Sequence, residues 1–188
     1  ERPDLQFQIV HSSYQARPWF PGWRRGAGHQ FSAGVLLLAP DSRGAVSLRG
    51  PEPEALPRVL LNFMSAQSDR LRLRESMCFM RRFFETEPAR SLIAAELAPG
   101  PDAASDEAID GWLRATVMSG GHPVGTCAMG TGADAVLDAA LRLRGVEGLR
   151  VVDASSMPCI IRGNTNAPVI MIAEKAADMI LGKPALAA

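Results

Sequence analysis

The sequence predicts an α+β fold, with an antiparallel sheet in its first half and helices after it. Three observations carry that reading. An alternating apolar–polar run near the start is followed by further apolar runs separated by turn residues; a helical apolar stripe crosses 73–84; and an almost wholly apolar segment near the end lies between helix start and stop signals. At 188 residues, with 47% hydrophobic and 21% charged side chains, the chain has globular composition and the length of one domain or slightly more. Its 20 basic and 20 acidic residues cancel, which excludes a broad polycationic footprint and argues against nucleic acid or an anionic membrane as the main partner. No apolar run approaches the roughly 18 residues of a membrane span.

Leu5, Phe7 and Ile9 alternate with Gln6 and Gln8, the period of two of a half-buried strand. A loop rich in Pro, Trp, Gly and Arg runs from Arg17 to Gly28, and Phe31–Leu38 is the second strand. Ala45–Arg49 follows the turn residues Asp41-Ser42-Arg43-Gly44, and Arg58–Met64 follows a proline-studded stretch from Pro51 to Pro57. Such turn chemistry between strands predicts antiparallel pairing.

Leu73, Met77, Met80 and Phe84 are spaced four, three and four apart, one apolar face of a helix. Arg70, Arg74, Arg81 and Arg82 fall mostly on the other side and read as a solvated face. After a loop at 98–104, Ser105 caps a helix with Asp106 and Glu107 in its first turn and Ile109, Trp112, Leu113 and Val117 as its buried side. Leu149–Asp153 reads as a short strand ending in an acid. Asn166 is placed to cap a last helix, Val169–Leu181, with Pro168 in its first turn and Gly182 and Pro184 ending it. A helix apolar all round is expected to be buried.

Cys78, Cys127 and Cys159 are an odd, widely spaced set without a CxxC pair, so buried free thiols are expected, and neither a disulfide framework nor a metal site. The chain opens on Glu1-Arg2-Pro3-Asp4 and runs at once into a strand, which reads as the interior of a longer protein whose compartment signals lie elsewhere.

One histidine sits among small residues in Gly121-His122-Pro123-Val124-Gly125-Thr126-Cys127-Ala128-Met129-Gly130. A second block runs Gly148-Leu149-Arg150-Val151-Val152-Asp153-Ala154-Ser155-Ser156-Met157-Pro158, and continues through Gly163-Asn164-Thr165-Asn166-Ala167-Pro168 to Asp178. Together they resemble the C-terminal signature of the glucose–methanol–choline (GMC) family of FAD-dependent oxidoreductases. The resemblance is close from about Ser119 to Gly182 and looser upstream, and is nearest to the bacterial choline dehydrogenase and the aryl-alcohol or hydroxymethylfurfural oxidase branches.

The resemblance implies FAD as cofactor and oxidation of a primary alcohol to an aldehyde. It makes His122, followed by Pro-x-Gly-Thr, the catalytic base. The partner His or Asn of the family lies about 44 residues later, at Asn166. Chemistry agrees: imidazole is the side chain best matched to accepting a hydroxyl proton near neutral pH, and an amide that cannot titrate can hold the substrate oxygen in line. Asp153 and Ala154 match the position where the backbone returns to the FAD domain. The helix start at Asn166, Ala167 and Pro168 would face the flavin N1–C2=O edge with free N–H groups, favouring hydride uptake.

Asn164, two residues from Asn166, is the competing assignment. His11 and His29 match no motif. Gly130-x-Gly132-x-x-Ala135 mimics a dinucleotide fingerprint without a preceding strand, and a Cys127–His122 nucleophile pair lacks fixed geometry. A true GxGxxG is absent from the sequence, although the family places that phosphate-binding unit at its N-terminus. The resemblance therefore covers the family's C-terminal third: residues 1–147 as part of the substrate domain with the histidine loop, and 148–188 as a strand and buried helix completing a Rossmann-like FAD domain. The implied partners are the N-terminal FAD-binding portion of the same protein and a small alcohol, in a soluble protein of bacterial cytoplasm or periplasm. A hydroxynitrile lyase-like flavoprotein and a non-catalytic fragment are the alternatives.

Overall fold

The computed structural model describes residues 2–11 and 28–184. Most of the Arg17–Gly28 loop lies outside the described residues. The chain divides into two compact units, 1–42 with 64–117, and 43–63 with 118–188.

In the first unit, β1 (Leu5–Val10) pairs antiparallel with β2 (Ser32–Leu37), Leu5 opposite Leu37 and Val10 opposite Ser32. Three helices follow: α1 (Gln67–Phe84), α2 (Ala89–Leu92) and α3 (Asp106–Thr116). The apolar stripes of α1 and α3 meet in a core of Met64, Leu73, Ile109 and Leu113, onto which Val35 and Leu37 of β2 pack. Ser105 caps α3 as expected, its Oγ accepting from the Ala108 N–H at 3.2 Å. The outer side of β1 is covered in part by Phe79, whose ring lies 5.2 Å from that of Phe7.

Of the four arginines expected on a solvated face of α1, Arg82 is exposed, but the other three are engaged with protein groups. Arg74 pairs with Asp106 and Asp110 of α3, Arg81 with Glu96 and the carbonyls of Gly100 and Ala103, and Arg70 with the carbonyls of Met64 and Ser65. A guanidinium carries five donors on a long stem, so it reaches carbonyls and carboxylates across a helix boundary instead of standing in water.

The second unit holds a short antiparallel hairpin, β3 (Ala45–Ser47) with β4 (Arg58–Leu60). Its entry passes so close to the facing strand that a Cβ on Gly44 would lie 2.3 Å from the Leu60 carbonyl oxygen, which restricts that position to glycine. The antiparallel pairing is as expected, but among the described residues it forms two separate two-stranded sheets instead of one.

The rest of the unit packs on Leu137, Leu141 and Ala176, with Met129, Val151, Val152, Ile172 and Met179 against them. Leu149–Asp153 is not a strand: it makes an isolated antiparallel bridge, Arg142 with Arg150, flanked by Leu143 N–H to Leu149 O at 2.9 Å and Val151 N–H to Leu141 O at 3.2 Å. The opposing segment turns away at Leu141, whose φ of 61° breaks an extended run.

The last helix, α4 (Asn166–Ile180), starts three residues earlier than expected and ends before Gly182, which has the positive φ of a helix-ending glycine. It is not buried all round. Ala176 is covered, whereas Ile170 and Met171 are 54% and 56% exposed and Ile180 and Leu181 more so. One side packs on the cluster just named, and a helix apolar on every side needs cover on every side. The three cysteines are free, but Cys78 and Cys127 are half-buried and Cys159 is exposed, against the expectation of buried thiols. No helix among the described residues is long and apolar enough to cross a membrane.

Candidate functional site

The two signature blocks fold onto each other. Gly121 and Gly125 adopt φ of 82° and 88°, and Pro123 confines the backbone of His122 to extended conformations, so the histidine stands on a tight, glycine-hinged loop. Beyond it the loop is tied to the second block by two backbone hydrogen bonds, Cys127 N–H to Ser155 O at 3.0 Å and Met129 N–H to Ser156 O at 2.9 Å.

The acceptors of those bonds are themselves fixed by Asp153. It caps the single 3-10 turn Ala154–Ser156, its Oδ1 accepting from the Ser155 N–H at 2.7 Å and from the Ser155 hydroxyl. The Ser156 hydroxyl is fully buried and donates to the Asp153 carbonyl at 2.7 Å. Asp153 and Ala154 thus close the turn that supports the histidine loop.

His122 is half-buried, and its Nδ1 lies 2.9 Å from Oγ1 of Thr165, which is 7% exposed. Thr165 is the N-cap residue of α4 by position, yet its side chain makes no capping hydrogen bond. The cap expected of Asn166 is therefore corrected: Asn166 is the first helical residue, and the capping position belongs to a threonine whose hydroxyl is turned to the histidine. Asn166 and Ala167 are exposed and Pro168 is half-buried. The amides at the start of α4 lack a side-chain cap and carry the positive end of the helix dipole.

The structure joins His122 to Thr165 and the loop 127–129 to the turn 155–156. Among the described residues no hydrogen bond links His122 to Asn166 or to Asn164, and both asparagines are exposed. Thr165 was missed because Asn164, Thr165 and Asn166 are three good capping residues in a row, and sequence alone does not say which one turns inward. The dinucleotide-like Gly130-x-Gly132 segment serves as acceptor for Arg144, whose Nη atoms donate to the carbonyls of Gly130 and Gly132 at 2.6 and 2.9 Å. His11 and His29 are exposed. No grouping of three or more His, Cys, Asp or Glu side chains suited to a metal ion occurs among the described residues.

The GMC oxidoreductase family profile matches residues 40–173. An oxygen-dependent choline dehydrogenase of Rhizobium rhizogenes is 40% identical over 189 residues, covering 100% of this chain and 34% of that protein. One of Chromohalobacter salexigens is 38% identical over 186 residues, covering 99% and 33%. Among solved structures, pyridoxine 4-oxidase of Mesorbium loti superposes with a TM-score of 0.77 at 32% identity, over 88% of this chain and 32% of that one. A formate oxidase variant of Aspergillus oryzae gives a TM-score of 0.84 at 28% identity, over 96% and 32%. The chain thus spans about a third of the length of the curated relatives it matches.

Proposed function

This chain belongs to the GMC oxidoreductase family, and from that premise we propose that it is the C-terminal part of a FAD-dependent enzyme oxidising a primary alcohol to an aldehyde. The observation that supports the reading best is the mutual docking of the two signature blocks around His122, with its ring tied to the start of α4.

The start of α4 fits a flavin edge. Thr165 withholds its hydroxyl from the helix, so the amides of Asn166 and Ala167 keep their donor capacity for an electron-rich group, while Pro168 has no N–H to leave unpaired. FAD held there would supply the acceptor for the hydride of the alcohol carbon. His122 accepts the hydroxyl proton, and the carboxamide of Asn166 orients the alcohol oxygen. Asp153 and Ala154, the closing turn of the loop, would help to hold the cofactor.

In the complete enzyme, residues 1–147 contribute to the substrate domain and 148–188 finish a Rossmann-like FAD domain. The partner of the chain is the FAD-binding portion of the same protein. The names of the relatives make choline the first alcohol to try. Anaerobic addition of choline or an aromatic primary alcohol to the complete enzyme should bleach the oxidised flavin bands with formation of one aldehyde per flavin. Release of an aldehyde from a hydroxynitrile without bleaching would put the lyase reading in its place, and a complete enzyme inert to both would leave the non-catalytic reading.

A further inference from the structure

We infer that Thr165 is a positioning residue for His122: its hydroxyl accepts a hydrogen bond from Nδ1–H and so presents the Nε2 lone pair as the proton acceptor. The inference rests on the reading of His122 as base.

A neutral imidazole carries one N–H and one lone pair, and the bond made by one nitrogen decides the role of the other. With Nδ1 committed to a hydroxyl 2.9 Å away, a base working through Nε2 requires the proton on Nδ1. Thr165 is suited to hold it there. It is 7% exposed, so water does not compete for its oxygen, and that oxygen makes no capping bond to α4. Its β-branched side chain is stiff, and it sits at the root of a helix, so the acceptor does not wander.

The other degrees of freedom of His122 are already restricted. Pro123 limits its backbone, Gly121 and Gly125 set the loop, and the bonds to Ser155 and Ser156 anchor the segment beyond. With the backbone so restricted, a flip of the ring would exchange Nδ1 for a carbon. Only one of the two ring orientations makes the bond to Thr165. When the alcohol O–H bond breaks, the proton passes to Nε2; the ring becomes a cation whose Nδ1–H keeps its bond to Thr165, an interaction stronger than the one in the neutral ring.

The test uses the complete enzyme as wild type, Thr165→Val, Thr165→Ser and His122→Ala. In 15N-histidine spectra of the wild type, the signals absent from His122→Ala should show a protonated Nδ1 and an unprotonated Nε2; the opposite tautomer overturns the inference without any appeal to activity. Thr165→Val keeps the shape without the hydroxyl. Its flavin reduction should fall roughly ten- to a hundredfold, the size of loss known for removing the partner that orients a metal-bound histidine. The rising limb of its rate–pH profile should move to lower pH, because the charged ring has lost an acceptor. Thr165→Ser should restore both. Slow His122→Ala with a wild-type profile in Thr165→Val overturns this inference alone, whereas wild-type reduction by His122→Ala overturns the base reading as well.

Discussion

Arg74 of α1 grips Asp110 of α3 through two parallel hydrogen bonds, Nε to Oδ1 at 2.9 Å and Nη2 to Oδ2 at 2.6 Å, while its third nitrogen reaches Asp106. The pair joins two helices whose apolar faces form the core of their unit, and its bidentate geometry adds a directional tie between them.

The hydrogen bonds from Arg74, ahead of its charge, hold the Asp110 carboxyl below the ordinary carboxylate range. A carboxyl depressed on folding adds stability above its unfolded value of about 3.9 and loses that contribution as pH falls through the folded value. Asp110→Asn should therefore melt below the wild type at pH 7, and the gap should close toward pH 3. A gap that stays constant over that range would mean that the charge of Asp110 adds nothing.

His122→Ala in the complete enzyme should retain FAD and slow flavin reduction by roughly 10²–10⁴-fold, the range for loss of a general base. That corresponds to about 2.7–5.4 kcal/mol of barrier at 1.36 kcal/mol per decade. Stopped-flow reduction within threefold of the wild type would remove His122 from the reaction.

The second unit leaves apolar side chains uncovered on two elements: Val46, Val59 and Leu60 on the hairpin, and Ile170, Met171 and Ile180 on α4. Apolar side chains left in water promote association unless they are covered. Residues 1–188 expressed alone should aggregate or remain partly molten and should not retain FAD, whereas co-expression with the FAD-binding portion should give a soluble yellow protein. A monomeric, cooperatively melting 188-residue product would argue against the fragment reading.

The sequence was most legible where local rules act. The stripe of α1, the Ser105 cap of α3 and the Gly182 stop of α4 follow from spacing and capping chemistry and reappear in the structure. Features set by distant partners were less legible. Asp69 lies in the first turn of α1, where its charge suits the helix dipole, but it is almost fully buried because it accepts from the backbone N–H groups of Asp41 and Ser42, and nothing local announces a partner 27 or 28 residues away. Burial works to raise its carboxyl, but those bonds and Arg72 outweigh it, and the carboxyl is held low. In the same way the apolar run 149–153 has strand composition yet finds only one bridge partner, and the His122–Thr165 contact spans 43 residues. The histidine was legible from its motif; the hydroxyl that holds it required the fold.

The assignment of Asn166 over Asn164 is open to a direct comparison. Asn166 is the first residue of α4, beside Thr165, and Asn164 lies one residue before the cap. Neither caps the helix, so exchanging either amide for a carboxylate removes no capping bond. A carboxylate at position 166 also meets the positive end of the helix dipole, so the melting temperature of Asn166→Asp should be unchanged or slightly raised. Its effect on the reaction has the opposite sign. A negative charge where the amide should hold the alcohol oxygen repels the negative charge that grows on that oxygen as the proton leaves, and it opposes the arrival of negative charge at the helix start. Asn166→Asp should therefore combine native-like melting with much slower flavin reduction and a lowered flavin midpoint potential. Asn164→Asp, outside the helix, should change both quantities less. Measured side by side, a larger loss of rate and potential in Asn164→Asp would transfer the orienting role to Asn164.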